Sequence, residues 1–389
     1  MNNNVQVLFS LLRNALFNET IDYATQRTAI EKADVIYKIA KHHDVVHLLN
    51  NAYEKCDFDS LSEEIKKLIK KKHFVSVIRY ERTNYDFEII KNVFESEHIP
   101  FIPLKGSVIR DYYPEPWMRT SCDIDILVHE TDVERAAEIL VNTCSCEKGK
   151  SGTHDVSFCS PNGTHIELHY KLTEIYYESP AEKLIDMVWE YACPKEGKAY
   201  HCVLSDEFFY LYHIYHIAKH FEIGGCGIRP FLDLWLLDNK VPHENGKRDS
   251  LLEKGGLLKF ANSCRELSRF WFSDGQESET VKCLQRFILA GGTYGTSDNR
   301  HLVVQAKNDN KLKRVMNVVF LSYDKLIIQY PVVKKHKWMI PFCEVHRWFR
   351  VFKPGYGKIA KDELIVSSKP KNESSESFAS FLKQIGLKQ

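Results

Sequence analysis

Apolar residues recur three or four positions apart over most of the first 95 residues of the chain. Segments 5–17, 33–50 and 61–94 each show this spacing, which places apolar side chains on one face of an α-helix. The same spacing returns over residues 182–290 and 311–330. The pattern therefore predicts long helical regions on both sides of the segment from 95 to 170.

Between these helical regions, the chain changes to an alternation of apolar and polar residues. Segment 123–128 has the sequence D-I-D-I-L-V and predicts a strand, because isoleucine and valine favour a pleated surface. Segments 154–159 and 165–170 flank the turn sequence S-P-N-G, so they predict a β-hairpin. We therefore predict an α+β fold with a small mixed β-sheet core, flanked by mainly helical N-terminal and C-terminal regions.

The length of 389 residues is typical of about two domains or a little more. We predict an N-terminal helical region (1–95), a core that contains the strands (96–175), a helical domain that closes a cleft over this core (176–300) and a C-terminal helical region (301–389). Residues 366–380 are rich in serine, lysine and glutamate. That composition is typical of flexible segments and predicts a flexible tail.

The acids in the strand segments are the first candidates for chemistry. Asp123 and Asp125 project from the same side of their strand, because side chains alternate between its faces. Such carboxylates repel each other unless a cation lies between them, and oxygen ligands favour Mg²⁺ or Mn²⁺. Glu167 joins them if its strand pairs beside theirs. Three acids with two metal ions about 3.5–4 Å apart could hold the phosphates of an NTP.

The order of the motifs resembles a known group of enzymes. The sequence L-K-G-S at 104–107 precedes D-I-D-I-L-V, and H-I-E-L-H-Y at 165–170 follows it. This order resembles the DNA polymerase β-like nucleotidyltransferase superfamily and, more closely, the bacterial "uncharacterised nucleotidyltransferase" family. The similarity is clearest over residues 99–237. It implies transfer of a nucleoside monophosphate from an NTP to an unidentified acceptor, with two Mg²⁺ or Mn²⁺ ions as cofactors.

The resemblance also implies roles for individual residues. Glu167 would bind the metal ion on the acceptor side or act as the general base. Arg119 is favoured over Lys105 and Arg110 as the phosphate-binding cation, because the closer family also has an arginine just upstream of its acid pair. The implied catalytic and metal-binding set is Asp123, Asp125 and Glu167; the implied phosphate-binding set is Lys105, Gly106, Ser107 and Arg119.

One feature of the spacing departs from the superfamily pattern. Residues 108–122, which include Pro114 and Pro116, separate the Gly-Ser pair from the acids. Lys105 also precedes the glycine at a position where many relatives have another residue. Because the closer family shares the longer spacing, we interpret this chain as a subtype with an intact site.

Further polar residues are candidates for substrate contacts. His213, His216 and His220 lie at positions i, i+3 and i+7 of a predicted helix and therefore share one face. They could form a wall of the active site, or they could be half-buried residues that bond to their neighbours. A zinc site would need a fourth ligand. The candidate contacts are Arg110, His169, His213, His216, His220, Arg229 and Asp233.

Composition restricts the partners that we expect. The net charge of +1 lacks the basic excess of a general nucleic-acid binder, so we predict a small-molecule, peptide or protein acceptor. No apolar stretch reaches 18 residues, and the N-terminus lacks the basic start of a signal peptide, so no membrane partner is expected. Eleven cysteines without a pairing pattern are typical of reduced thiols and favour a cytoplasmic location.

Two other functions remain alternatives. A nucleotide-sugar glycosyltransferase also uses an Asp-x-Asp motif, but a parallel βαβ series normally precedes it, whereas a helical region precedes it here. An interaction protein on a degenerate nucleotidyltransferase fold, for example in a toxin–antitoxin pair, would be expected to have lost Gly106 or Glu167, and both are present. AMP is favoured as the transferred group only because ATP is the commonest donor.

Overall fold

The computed structural model describes residues 2–56, 58–173, 179–307, 311–352, 361, 364–365 and 373–388. The described chain contains one five-stranded sheet among many helices, so the predicted α+β class is confirmed. The strands are β1 (Phe101–Pro103), β2 (Asp123–Val128), β3 (Glu147–Ser151), β4 (Asp155–Cys159), β5 (His165–His169), β6 (Ala192–Pro194) and β7 (Cys202–Leu204).

Helices precede, separate and follow these strands. The α-helices are α1 (Asn3–Phe17), α2 (Tyr23–Glu31), α3 (Ala33–His42), α4 (Val46–Lys55), α5 (Glu63–Ser96), α6 (Gly106–Ile109), α7 (Val133–Asn142), α8 (Pro180–Ile185), α9 (Asp206–Glu222), α10 (Arg229–Lys240), α11 (Asn245–Lys254), α12 (Leu258–Phe272), α13 (Glu279–Gly291), α14 (Ser297–Lys307), α15 (Lys311–Val319), α16 (Tyr323–Gln329), α17 (Val332–Lys335), α18 (Ile340–Phe352) and α19 (Glu373–Gln384). Short 3₁₀-helices are Phe58–Ser60, Arg110–Tyr112, Pro116–Met118, Val188–Tyr191 and Lys337–Met339.

The five-stranded sheet is mixed, with the strand order β1-β2-β5-β4-β3. Strand β2 pairs antiparallel with β1 and parallel with β5. The predicted hairpin is confirmed, because β4 and β5 pair antiparallel around residues 160–163. Strands β6 and β7 form a separate two-stranded sheet. The strand that carries the Asp pair therefore lies beside the strand that carries Glu167.

The long helix α5 supports one side of strand β2. Ser62 begins this helix by accepting a hydrogen bond from a backbone N–H of the first turn, which satisfies a donor that would otherwise lack a partner. Phe87, Ile90 and Phe94 are buried with Ile124 in one apolar cluster. Full burial of such a side chain stabilises the fold by about 1.5–3 kcal/mol. The helix thus fixes the strand on which Asp123 and Asp125 lie.

The N-terminal helices share a core with helices far along the chain. Phe9 of α1 stacks on Trp271 of α12, with ring centroids 4.7 Å apart, and both side chains are buried. The periodic segment 33–50 forms two helices, α3 and α4, which are separated at Asp44, where φ is 54°. The domain boundaries given above stay a prediction.

The C-terminal region ends in helix α19. Residues 366–372 of the predicted flexible tail lie outside the described residues, whereas residues 373–380 belong to this helix. The flexible tail stays a prediction. Phe378 stacks on Phe287 with ring centroids 5.1 Å apart. Burial of this aromatic face offsets the low hydrophobicity of the segment. Among the described residues, no helix has the length and apolar character needed to cross a bilayer.

Candidate active site

The parallel pairing of β2 and β5 brings the acids together. Asp125 lies directly opposite Glu167 in the register of the two strands. His169, two residues after Glu167, points to the same side. Its Nε2 lies 2.9 Å from Asp125 Oδ1 and 3.3 Å from Glu167 Oε2. The predicted approach of Glu167 to the acid pair is therefore present in the fold.

Lys105 supplies a cation to these acids. Its Nζ donates a hydrogen bond of 2.7 Å to Asp125 Oδ1. The backbone N–H of Leu104 donates to the carbonyl of Asp125 at 3.0 Å, which holds the end of β1 against β2. Lys105 then adopts φ 47° and ψ −120°, a region that costs a residue with a side chain about 1–3 kcal/mol. This turn directs the chain from β1 into helix α6.

Burial and charge shift the ionisation of this cluster. Burial opposes the charged form of Asp125, but the Lys105 ammonium and His169 outweigh it and hold the Asp125 pKa well below its usual range. Burial likewise opposes the charge on Lys105, yet Asp125 raises the Lys105 pKa. The pKa of Asp123 is raised by burial and by the negative charge of Asp125. The cluster therefore combines a firmly ionised Asp125 with a more easily protonated Asp123.

The Gly-Ser turn is closely packed. A Cβ on Gly106 would lie 3.2 Å from the Cβ of Ser121, so a larger residue would push the turn away from its neighbour. The backbone N–H of Ser107 donates to the carbonyl of Leu104 at 3.2 Å. Arg110 donates from Nε to the carbonyl of Gly106 at 2.9 Å. Gly106 lines the cavity above the acids, whereas Ser107 and Arg110 are not among its lining residues.

Arg119 and Asp233 form a buried ion pair in the same cavity. Arg119 Nε donates to Asp233 Oδ1 at 2.8 Å and to Oδ2 at 3.0 Å. The hydroxyl of Tyr113 donates to Asp233 Oδ1 at 2.7 Å. Burial opposes the charge on Arg119, but Asp233 outweighs it and raises the Arg119 pKa. The predicted phosphate-binding role of Arg119 stays a prediction, since Asp233 already engages its guanidinium.

Arg229 lies beside this pair with part of its donor capacity unused. Its Nη1 donates to the carbonyl of Thr120 at 3.1 Å and lies 3.7 Å from Asp44 Oδ2. Its Nε is buried and, among the described residues, has no hydrogen-bond partner. Arg229 lines the cavity, so its contact with a substrate stays a prediction.

The predicted histidine face of α9 lines the cavity. His216 and His220 contact each other, with their Nε2 atoms 3.2 Å apart, whereas His213 Nε2 contacts the carbonyl of Pro230 at 2.9 Å. Burial lowers the pKa of His216 well below its ordinary value and that of His220 to about 4. These imidazoles are therefore neutral near pH 7. Among the described residues, they belong to no group of three metal-ligating side chains.

The cavity has a volume of about 340 Å³. Eleven predicted site residues line it: Lys105, Gly106, Arg119, Asp123, Asp125, Glu167, His213, His216, His220, Arg229 and Asp233. Tyr212, Cys226, Thr293 and Tyr294 also line the cavity and were not among the predicted residues. Tyr212 could have been found, because it precedes His216 and His220 at intervals of four residues. Thr293 and Tyr294 come from a distant turn and have no local sequence signal.

The donor set fits a divalent metal ion. Asp125, Glu167 and His169 each offer one ligand atom, and these atoms lie within 4.8 Å of one another. Carboxylate oxygens suit Mg²⁺ and Mn²⁺. Among the described residues, His169 Nδ1 is buried without a hydrogen-bond partner, so the hydrogen bonds of this imidazole run to the acids. Asp123 lines the same cavity outside this three-atom cluster.

Fold and site together define an α+β protein with acids on neighbouring parallel strands, facing a cavity beneath a helical wall. Residues 31–273 match the profile of the family described as "Uncharacterised nucleotidyltransferase", and the chain belongs to that family. The predicted family is therefore confirmed. No curated protein and no solved structure matches the chain. Family membership supports nucleotidyl transfer as the reaction class and a nucleotide as a substrate.

Proposed function

We propose that the protein transfers a nucleoside monophosphate, with AMP as the first candidate, from an NTP to an acceptor hydroxyl or phosphate. The observation that carries the proposal is the pairing of Asp125 with Glu167 on adjacent parallel strands, at a cavity that also contains Lys105. Two acids and a cation at one point suit a substrate that carries phosphates. The family supports the same reaction class.

Asp125 and Glu167 would hold Mg²⁺ or Mn²⁺, and Asp123 would add a carboxylate from the same strand. When bound, such ions neutralise the triphosphate and lower the pKa of the attacking hydroxyl. The low pKa of Asp125 keeps this carboxylate ionised and ready to bind a cation throughout the physiological range. The higher pKa of Asp123 makes its ionisation depend more strongly on a bound cation.

Lys105 and Glu167 would assist the transfer step. An oxygen of the acceptor attacks the α-phosphorus of the NTP, the bond between that phosphorus and the bridging oxygen of the β-phosphate breaks, and pyrophosphate leaves. As the alternative to metal binding, Glu167 would accept the proton of the acceptor hydroxyl as a general base. Lys105 turns from Asp125 to the leaving pyrophosphate and stabilises its charge. Its ammonium side chain is 26% exposed, so it has access to the cavity for this movement.

His216 and His220 would orient the substrates through hydrogen bonds. Their pKa values, lowered by burial, keep them uncharged. A neutral imidazole has one donor and one acceptor nitrogen. The pair can therefore contact a nucleobase or an acceptor without adding charge to the site.

Calorimetric titration of each NTP with Mg²⁺ tests the proposed function. Wild-type protein should bind one NTP in a metal-dependent manner. Asp125→Asn should weaken this binding at least about 100-fold, or by about 2.8 kcal/mol, because it removes the central carboxylate. Asp274→Asn changes an exposed aspartate in the same way and should bind like the wild type.

Three results would contradict the proposal. Equal NTP binding by wild type and Asp125→Asn would show that Asp125 does not take part in nucleotide binding. Binding of UDP- or GDP-sugars in preference to NTPs would favour a glycosyltransferase. Binding of no nucleotide to folded wild-type protein would favour a non-catalytic interaction protein.

A further inference from the structure

A second concave surface, here called the cationic groove, opens from the catalytic cavity. Its volume is about 590 Å³. The groove is lined by Lys38, Lys41, His42, Asp44, Arg79, Cys122, Thr293 and Tyr294. Cys122, Thr293 and Tyr294 line the catalytic cavity as well. Because these three residues line both spaces, the groove adjoins the cavity that contains the acids.

The walls of the groove are fixed by contacts between distant elements. The backbone N–H and the hydroxyl of Thr293 donate to the carbonyl of His42, at 3.2 Å and 3.1 Å. Gly292 adopts φ 60°, and a Cβ at this position would lie 2.5 Å from the His42 ring. Only glycine suits both the backbone conformation and this close approach. The end of α3 and the turn after α13 are therefore held together at the groove.

The cations of the groove are only weakly neutralised. Within the described part of the chain, neither Lys41 nor Arg79 forms an ion pair, and Arg79 Nη1 contacts the Cys122 sulfur at 3.7 Å. Lys38 lies 3.8 Å from Asp34, but both side chains are mostly exposed, and such pairs are weak. The acid of the groove, Asp44, is shared with Arg229. The groove is therefore positive and attracts anions.

The groove suits the acceptor better than the donor. The donor phosphates already have Lys105 and the candidate metal ligands in the cavity. The 340 Å³ of that cavity lies at the lower end of the range of about 300–1,000 Å³ for ligand sites, which suits one nucleotide. A second substrate must approach the same acids from an adjoining space. Tyr294 is 85% exposed at the junction and offers a ring for contact with this substrate.

We propose that the cationic groove binds the acceptor, and that the acceptor is a small molecule with a phosphate or carboxylate group. Lys41 and Arg79 hold this anionic group, and its nucleophilic oxygen reaches the cavity past Cys122. The inference rests on the proposed function, and it adds the chemical class and the location of the second substrate.

Protection of the Cys122 thiol tests the groove directly. The full chain is saturated with Mg²⁺ and a non-hydrolysable analogue of the NTP identified by calorimetry, and its thiols react with neutral 2,2′-dithiodipyridine. The rate for Cys122→Ser is subtracted, which removes the contribution of the exposed Cys159 and Cys193. Inorganic phosphate or acetate is then added at constant ionic strength. At least one of them should slow the Cys122 reaction about threefold or more, and the stronger of the two identifies the acceptor group.

The matched variants separate groove binding from other effects. Lys41→Gln/Arg79→Gln should lose the protection and keep its NTP affinity within about a factor of three. Lys195→Gln/Lys198→Gln removes the same charge from an exposed turn and should keep the protection. Because Arg79 touches the thiol, rates with and without the anion are compared within each protein.

Absence of protection in the wild type, or equal protection in the groove variant, would overturn the inference. A loss of NTP affinity above about threefold in Lys41→Gln/Arg79→Gln would also overturn it, since the groove would then belong to the donor. Failure of the proposed function itself is detected separately, as calorimetry would show no NTP binding to the wild type before any thiol is modified.

Discussion

Two buried ion pairs face the same cavity, but they differ in their surroundings. Asp233 forms an ion pair with Arg119 and accepts a hydrogen bond from the Tyr113 hydroxyl, and the Arg119 side chain is 9% exposed. Asp125 forms an ion pair with Lys105 and a hydrogen bond with His169, and the Lys105 side chain is 26% exposed. The first pair is enclosed by protein, whereas the cation of the second has access to the cavity. The comparison indicates that one pair holds the structure together and that the other can exchange partners.

The chemistry of the two cations agrees with this difference. Arginine has a planar guanidinium that binds a carboxylate in a fixed geometry, whereas lysine is a point charge on a flexible stem. Arg119 precedes strand β2, and Asp233 lies in α10, so their contact joins the sheet to the helical wall. Lys105 and Asp125 both belong to the core around the sheet. Release of Lys105 therefore leaves the packing of the two regions intact.

Replacement of Asp233 should have the largest effect. Asp233→Ala leaves Arg119 buried without its partner, and loss of one member of a buried pair costs about 3–5 kcal/mol. Asp125→Ala should reduce the free energy of unfolding by less than half as much, because Lys105 can turn to solvent. Urea unfolding of both variants measures the difference. Equal losses would contradict the assignment of a structural role to one pair and an exchangeable role to the other.

Replacement of Lys105 should have a smaller effect, which is a gain in metal affinity and not a loss of stability. Lys105 Nζ occupies Asp125 Oδ1 in the structure, so a metal ion must compete with it. Lys105→Met should therefore bind Mn²⁺ about tenfold more tightly without NTP, or by about 1.4 kcal/mol. Titration of free Mn²⁺ by electron paramagnetic resonance gives the affinity. Lys105→Arg, which keeps the cation, should bind Mn²⁺ like the wild type. An unchanged affinity in Lys105→Met would show that Lys105 does not compete with the metal ion for Asp125.

The parts of the fold and site that could be predicted from sequence depend on local patterns. Alternation identified β2 and the β4–β5 hairpin, and the position of Glu167 in the alternating segment followed from the same rule. Helical spacing identified the face that carries His216 and His220. Each of these features is set by neighbouring residues in one strand, turn or helix.

The remaining features depend on contacts between residues far apart in the chain. Asp233 was a candidate for substrate contact, and nothing near it indicates that Arg119, 114 residues away, binds it. The φ of Lys105 follows from the packing of β1 against β2, not from its residue type. Helix α19 looks polar in sequence. Its packing depends on Phe378, which stacks on Phe287 of α13, and the local pattern does not show this contact. Such tertiary contacts leave no periodic signal.

A dependence on pH distinguishes the surroundings of the two pairs. His47 Nε2 lies 2.8 Å from the carbonyl of Met118, the residue before Arg119, and burial lowers the His47 pKa to about 4. In the unfolded chain this pKa is about 6.5, so the unfolded state binds more protons between these values. Stability is therefore complete above about pH 6.5 and falls as the pH decreases towards 4. In contrast, the lowered pKa of Asp125 affects stability mainly below about pH 5, and the raised pKa of Lys105 affects it only in the alkaline range.

Removal of the titrating group at position 47 should show the smallest of these effects. His47→Gln keeps an amide donor for the Met118 carbonyl but cannot be protonated. The slope of the free energy of unfolding against pH should therefore decrease by up to about 1.4 kcal/mol per pH unit between pH 4 and 6.5. Urea unfolding at several pH values gives the slope, and His336→Gln, at an exposed position, serves as the control. A slope equal to that of the wild type would show that His47 titrates alike in the folded and unfolded protein, and it would contradict the effect of burial on this residue beside Arg119.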